Sequence, residues 1–394
     1  MVYKELLQGG EKIILVVVDG LGGLPVLGSF TELELANIPN LNSLAKRFPM
    51  GALESVGAGI TPGSGPAHLS LFGYDPLKYI IGRGILEALG LDMEIREGDV
   101  AIRCNFATLK DGVITDRRAG RIPTEENRRI VEKLRSISKV EDVEVIWESG
   151  KEHRFVMVLR GDGLSEKVLE TDPGKEGEKP IEPEPLDPSA EKTSRILKKI
   201  LEISREILKD EDRGNFFLMR GYAKLPKMEK FEEKWGLKAF GTASYPMYRG
   251  LAKLVGMYVP KDTPDFDAEI EEVEKNFENY DFFYIHYKDA DKAGEDGDWK
   301  KKVLALEKFD SYLPRILKLG GIVAITGDHN TPSLLRSHSW HYVPLLITSL
   351  KAGYPTAWSF TEREAIRGSL GIRKSYELMP ILLACAGRLK RFGA

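Results

Sequence analysis

Glu11-Lys-Ile-Ile-Leu-Val-Val-Val-Asp-Gly20 is an unbroken apolar run, rich in β-branched residues, that closes on an acid. Such a run reads as a central parallel strand buried on both faces, with Asp19 at its C-terminal end. Gly321-Ile-Val-Ala-Ile-Thr-Gly-Asp328-His329 repeats the pattern, closing on a carboxylate and an imidazole. Two such strands predict an α/β fold with a doubly wound sheet, whose ligands gather at the carboxyl ends of the strands. Asp19 taken alone fits a turn former equally well.

Between these strands lies Ile60-Thr-Pro-Gly-Ser-Gly-Pro-Ala-His-Leu-Ser-Leu-Phe-Gly-Tyr-Asp75, which sets Ser64 between two glycines and two prolines, with His68 close behind. A serine at a loop-to-helix turn is placed as a nucleophile, because free backbone N–H groups and the helix dipole both favour an incoming phosphate. By itself the segment also fits a Gly/Pro surface turn. Pro39 to Phe48 has helical spacing after a proline start, so a βα unit precedes the turn.

A chain of 394 residues with 42% hydrophobic content is long enough for two domains, or for one large domain with an insertion. Lys+Arg 57 against Asp+Glu 60 gives a net charge of −3, which argues against a nucleic-acid or anionic-membrane partner. Ile13 to Val18 is too short to cross a bilayer, and with no signal peptide visible the expected location is the cytoplasm. Cys104 and Cys385 lack CxxC spacing and read as packed hydrophobes. The abundance of Glu and Lys of both signs fits a heat-adapted chain. Oligomeric state is left open, a homo-oligomer included.

From 79 to 231 the texture changes, and this stretch reads as an inserted α+β domain; 1–78 and 232–394 form the outer domain. Within it, Val100 to Leu109 and Phe155 to Leu159 read as strands. Thr124 to Ser138 reads as a helix with Thr124 as its N-cap. Asp172 to Pro188 reads as a loop or hinge, and Ser189 to Lys209 as a helix. Ile114-Thr-Asp-Arg-Arg-Ala-Gly-Arg-Ile122 places Asp116 beside Arg117, Arg118 and Arg121. Guanidiniums bind phosphate and carboxylate through paired charge-assisted hydrogen bonds, so this segment suits a small phosphorylated substrate; a solvated charged turn is the plain alternative. Arg83, Arg103, His153, Arg154 and Arg220 are further candidates.

After residue 232 the α/β pattern returns. Asp281-Phe-Phe-Tyr-Ile-His-Tyr-Lys-Asp-Ala-Asp-Lys-Ala-Gly-Glu295 reads as a strand entering an acidic loop with His286, Asp289, Asp291 and Glu295. Gly297 to Leu319 reads as a helix, Tyr342 to Thr348 as a strand and Tyr376 to Ala386 as a closing helix. Potential ligands thus follow several strands: Asp19, Ser64, Asp291 with Glu295, Asp328-His329, and His338. Carboxylates and imidazoles without a thiolate favour Mn²⁺, Mg²⁺ or Zn²⁺, and a pair of such ions suits in-line phosphoryl transfer.

Val16-Val-Val-Asp-Gly-Leu-Gly-Gly-Leu-Pro-Val26, Pro62-Gly-Ser-Gly-Pro-Ala-His-Leu-Ser-Leu-Phe-Gly-Tyr-Asp-Pro76, Gly82-Arg-Gly84, the Asp116 to Arg121 segment, Thr326-Gly-Asp-His-Asn-Thr-Pro332, His338-Ser339 and Val343-Pro-Leu-Leu-Ile347 occur in this order. Together they resemble the archaeal-type cofactor-independent phosphoglycerate mutases of the alkaline phosphatase superfamily. The resemblance implies an alkaline-phosphatase-like metal-binding domain and an inserted substrate-binding domain. The implied reaction interconverts 2-phosphoglycerate and 3-phosphoglycerate through a phosphoserine at Ser64, with two divalent ions, Mn²⁺ favoured, and no bisphosphoglycerate. It also implies that Asp19, Ser64, Asp328 and His329 hold one ion and that Asp291 and His338 contribute to the other. Asp116 would shuttle the proton, while Arg117, Arg118, Arg121 and other basic residues hold the glycerate. Exclusion of water then separates a mutase from a phosphatase.

This chain departs from the family at three places. Glu295 replaces the family's histidine and, as a ligand, would harden the site towards Mg²⁺ or Mn²⁺. His341-Tyr342 stands for the family's Asp-Pro, and Arg249-Gly250 for its Lys-Gly, which adds Arg249 to the substrate candidates. The altered ligand keeps two other readings in play: a phosphatase or phosphotransferase acting on another small metabolite, and a weakly active paralogue that binds one.

Overall fold

The computed structural model describes residues 2–261 and 263–393. The chain divides into two compact units, Met1–Ile80 with Met228–Ala394, and Ile81–Lys227. The division falls inside the 79–231 expected for the insertion. Tyr79 packs edge-on against Tyr74, whose hydroxyl donates to the Glu229 carbonyl, so residues at both ends of that range belong to the outer unit.

In chain order the strands are β1 (Ile13–Val18), β2 (Met50–Glu54), β3 (Val100–Lys110), β4 (Val113–Asp116), β5 (Lys139–Val140), β6 (Val143–Ser149), β7 (Arg154–Arg160), β8 (Phe216–Ala223), β9 (Ala239–Thr242), β10 (Phe282–Tyr287), β11 (Ile322–Thr326), β12 (Val343–Ile347) and β13 (Gly371–Lys374). The outer unit holds a seven-stranded sheet in the order β13-β2-β12-β11-β1-β10-β9. β1 is an interior strand, paired in parallel with β10 and β11, and every one of its side chains is buried. That is why its sequence carries no polar alternation: both faces are covered, and each buried branched side chain contributes about 1.5–3 kcal/mol. β12 runs antiparallel between β11 and β2. This leaves β2 parallel to β11, so the exits of β2, β11, β1 and β10 share one edge of the sheet.

Gly20 shows how tightly those exits pack. Its φ of +68° lies in the left-handed region, and a Cβ there would come within 2.6 Å of Thr331 Oγ1 and 2.8 Å of Asp291 Cα. Only glycine allows the loop after β1 to lie against those neighbours.

The second unit is built on an antiparallel sheet, β4-β3-β7-β6-β5, with β8 on the other side of β3. Its period-two alternation separates two faces. Cys104, Phe106, Phe155, Met157 and Phe217 enter the core, with residues of the helices Thr124–Leu134 and Glu191–Leu208. The pairing Arg103 with Arg220, and Asn105 with Arg154, puts three guanidiniums and one amide on the opposite face.

Several local expectations need correction. Pro123, not Thr124, is the N-cap of its helix, and Thr124 Oγ1 instead accepts from the Glu152 N–H at 3.1 Å. That helix ends at Leu134, four residues before Ser138. The acidic segment after β10 is the helix Asp289–Asp296 and not a loop. The helix expected from Ser189 begins as a 3-10 turn, Pro188–Ala190, and becomes α-helical at Glu191. The closing helix likewise opens as the 3-10 turn Ser375–Glu377 before Leu378–Cys385. Both cysteines are buried free thiols. Among the described residues no helix is long and apolar enough to cross a membrane.

Candidate active site

The shared strand edge brings four exits together. Asp19 follows β1, Lys288 follows β10, Asp328 and His329 follow β11, and the segment after β2 leads to Ser64, the first residue of the helix Ser64–Leu71. No side chain caps that helix, and Pro66 has no N–H, so the N–H groups of Ser64 and Gly65 are the orphan donors at its start. Ser64 Oγ lies 3.1 Å from His329 Nε2. That same nitrogen lies 3.1 Å from Asp328 Oδ2 and 3.4 Å from Asp19 Oδ1. Far-separated segments therefore converge on one imidazole and one hydroxyl.

Asp19, Asp328 and His329 form one group of ligand atoms lying within 4.8 Å of one another, and Asp291, His329 and His338 form a second. His329 belongs to both, whereas the sequence reading placed it in the first alone. His338 stacks on His329 with ring centroids 3.6 Å apart, and its Nε2 is 3.6 Å from Asp291 Oδ1. Glu295 stands outside both groups; its carboxylate is 3.7 Å from His338 Nε2 and its side chain is half exposed. His341 is in neither group and stacks on Trp340.

The electrostatics are those of a buried, charged cluster. Burial alone would raise Asp19, but the Lys288 ammonium, with His286 and His329, holds it well below the usual carboxylate range. Burial opposes charge on His329, yet Asp328, Asp19 and Asp291 carry it up to about 9. Asp19 Oδ1 and Asp328 Oδ2 are buried without a hydrogen-bond partner. Orphaned carboxylate oxygens in a carboxylate and imidazole set are costly unless a cation completes them, so these residues fit divalent ions.

Three side chains in this cluster escaped the sequence reading. Lys288 Nζ donates to Asp19 Oδ2 at 2.9 Å, to Asp291 Oδ2 at 2.5 Å and to the Tyr248 hydroxyl at 2.9 Å. Tyr248 stacks on His286, whose Nε2 is 3.1 Å from Asp19 Oδ2. Thr331 Oγ1 donates to Asp291 Oδ1 at 2.6 Å. Lys288 carried a usable signal, since it is the first residue after a buried strand.

In the second unit, Arg103 is held at about 10 by burial and by the guanidiniums of Arg83, Arg154 and Arg220, against the opposing pull of Glu87. His153 is pushed down to about 4 by burial and then by Arg154, Arg118, Arg103 and Arg121. These shifts tie the separately noted basic residues into one positive cluster. The Nε atoms of Arg103 and Arg154 are buried without a hydrogen-bond partner, Arg103 Nε lying 3.8 Å from Glu87 Oε1. Arg117 is different: it makes a two-pronged bond to Asp172, at 2.8 Å on each side, and Arg220 reaches the same carboxylate at 3.3 Å. Asp116 accepts from the N–H groups of Arg118 and Gly120, both at 2.7 Å. It thereby anchors a turn in which Ala119 and Arg121 take positive φ, of 49° and 51°. Arg249 belongs to the outer unit, where its Nη1 donates to the Pro260 carbonyl at 2.6 Å.

The outer unit is an α/β sheet that gathers a serine, carboxylates and imidazoles at its strand exits, and the second unit faces one side of its antiparallel sheet with arginine, a combination that points to an enzyme acting on an anionic substrate. A family model described as 2,3-bisphosphoglycerate-independent phosphoglycerate mutase matches residues 45–213. A probable 2,3-bisphosphoglycerate-independent phosphoglycerate mutase of Thermus thermophilus is 51% identical, with 100% of this chain and 99% of the relative covered. A relative of the same description from Aquifex aeolicus is 47% identical, with both chains covered in full. Among solved structures, a cofactor-independent phosphoglycerate mutase from Thermoplasma acidophilum is 32% identical with a TM-score of 0.70, covering 96% of this chain and 100% of its own. A protein from Pyrococcus horikoshii is 30% identical with a TM-score of 0.83, covering 98% and 100%. The chain belongs to the 2,3-bisphosphoglycerate-independent phosphoglycerate mutases, a family of isomerases.

Proposed function

We propose that this enzyme interconverts 2-phosphoglycerate and 3-phosphoglycerate through a phosphoserine formed on Ser64. The observation that carries this reading is the single imidazole of His329, which lies 3.1 Å from Ser64 Oγ and takes part in both ligand groups. Asp19, Asp328 and His329, with Ser64, would hold one divalent ion, and Asp291, His329 and His338 the other. Two such ions, manganese being the first choice, would neutralise phosphoryl oxygens and lower the pKa of the serine hydroxyl.

Ser64 Oγ, its proton given up to solvent, attacks the phosphorus of the bound phosphoglycerate as the bond from phosphorus to the glycerate oxygen breaks, while the N–H groups of Ser64 and Gly65 favour negative charge at the helix start. Asp116 gives a proton to the departing glycerate oxygen and later takes one from the other hydroxyl. Meanwhile the glycerate is held by guanidiniums, and its second hydroxyl then receives the phosphoryl group. Arg117 is occupied by Asp172, so Arg118, Arg121 and Arg154 are the principal binding groups, supported by Arg83, Arg103 and Arg220. His153 remains neutral at physiological pH and offers a hydrogen bond without a charge. Isomerisation needs the phosphoserine shielded from water, because hydrolysis there would release phosphate.

The test is conversion of 3-phosphoglycerate followed by phosphorus NMR, with manganese present and no bisphosphoglycerate. Formation of 2-phosphoglycerate that is lost in Ser64→Ala supports the proposal. Net release of phosphate would favour a phosphatase, and binding without turnover a metabolite-binding paralogue.

A further inference from the structure

The outer unit contains one hydrogen-bonded chain to the reacting oxygen that this scheme does not use. Lys288 Nζ lies 2.9 Å from the Tyr248 hydroxyl, and that hydroxyl lies 3.4 Å from Ser64 Oγ. Donor and acceptor roles follow from the side chains themselves. An ammonium can only donate, so Tyr248 accepts from Lys288 and its own single proton points to Ser64. The Tyr248 ring is fixed from two sides: His286 stacks on it with centroids 3.7 Å apart and His68 packs at 5.1 Å. Lys288 is fixed in turn by Asp19 and Asp291.

We propose that Tyr248 is a catalytic hydrogen-bond donor to Ser64 Oγ, with Lys288 as the positioning residue that polarises it, and that the pair stabilises Oγ when it carries negative charge. The inference rests on the phosphoserine reading. In the return step the P–Oγ bond breaks and its electron pair stays on Oγ. A new P–O bond forms to the glycerate hydroxyl, whose proton passes to Asp116, while Tyr248 keeps its own proton throughout. Burial holds the Tyr248 phenol well above its ordinary pKa, which suits a group that donates without ionising. The present 3.4 Å is long for an O–H···O bond; bonds of this kind shorten as charge builds on the acceptor.

The phosphoserine ester oxygen bears no charge, whereas free Oγ does. Loss of the donor therefore shifts the bound equilibrium towards phosphoserine and slows its breakdown. In the manganese-loaded full-length enzyme turning over 3-phosphoglycerate, Tyr248→Phe is expected to lower kcat about 10- to 100-fold with KM nearly unchanged. The fraction of Ser64 carrying phosphate, read by mass spectrometry after an acid quench, is expected to rise. Fluorotyrosine at position 248 keeps the ring contacts and offers a more acidic donor, so it is expected to lower that fraction and provides a second variant should the phenylalanine form fold poorly. Wild-type kcat and wild-type phosphoserine in both variants would overturn the role of Tyr248 alone. Absence of phosphoserine from the turning-over wild type would overturn the phosphoserine reading and this inference with it.

Discussion

The two charged regions of this molecule are built on opposite principles. At the strand exits of the outer unit, Asp19, His286, Asp328 and His329 are fully buried, and their charges are balanced internally by one another and by Lys288. On the arginine face of the second unit, guanidiniums crowd each other without enough carboxylate, and Arg118 and Arg121 reach solvent. The first region carries the carboxylates and imidazoles of two candidate ligand groups, and the second carries guanidiniums in excess of carboxylates. The contrast teaches where each part of a phosphoryl-transfer site has to be rigid. Charge that develops on a serine oxygen needs fixed partners, whereas a substrate that turns needs partners that can be exchanged.

The contrast is broken most severely at the nucleophile. Ser64→Ala is expected to reduce isomerisation by at least about 10⁴-fold while leaving phosphoglycerate affinity largely intact. Calorimetric titration of the variant checks the second half, and equal loss of binding would make Ser64 a structural residue. Chelation should likewise abolish turnover in the wild type, with restoration by manganese, and should lower the melting temperature, since an ion bound only by the folded state adds about 2.7 kcal/mol at 100 times its Kd.

The arginine face has a pH signature of the reverse kind. His153 stays neutral down to about 4 in the fold but titrates near 6.5 when unfolded. Between those values the unfolded chain binds more protons, so stability is fully present above 6.5 and is lost as pH falls towards 4. This single group accounts for up to about 3 kcal/mol, and His153→Gln should flatten that part of the profile in denaturant titrations. An unchanged slope would place the acid sensitivity elsewhere.

Next come the guanidiniums. Arg154→Ala is expected to raise KM about 10- to 100-fold with a smaller change in kcat, because it removes binding rather than chemistry. Arg117→Ala should instead cost stability, about 1–3 kcal/mol, since it deprives buried Asp172 of a two-pronged partner. If both variants alter KM alike, the division of labour between them is wrong. The smallest expected effect is at Glu295, which lies outside both ligand groups. Glu295→His should shift metal preference modestly towards softer ions if the residue reaches the second ion, and an unchanged metal profile would remove it from the site.

Much of this was legible in sequence where one physical cause acts locally. The β-branched run Ile13 to Val18 read as a strand covered on both faces, and the acids that follow such strands were expected at one sheet edge. Ser64 between glycines fitted a helix start and a surface turn alike, and the resemblance carried the order of motifs. Local reasoning failed where competition decided. Thr124 has the chemistry of an N-cap, but Pro123 takes that position and Thr124 is spent on Glu152. Arg117, Arg118 and Arg121 look equivalent in a row of nine residues, yet only Arg117 meets Asp172, 55 residues away.

Sequence by itself therefore determined the buried strands β1, β10 and β11, their acidic and imidazole endings and the family, because hydrophobic period and residue chemistry are properties of short segments. Tertiary structure alone decided that His329 serves both ligand groups, that Lys288 threads between Asp19 and Asp291, and that Tyr248 faces Ser64. Those relations depend on distances between residues far apart in the chain, and parallel pairing of strands sets such distances without leaving any mark in the segments it joins.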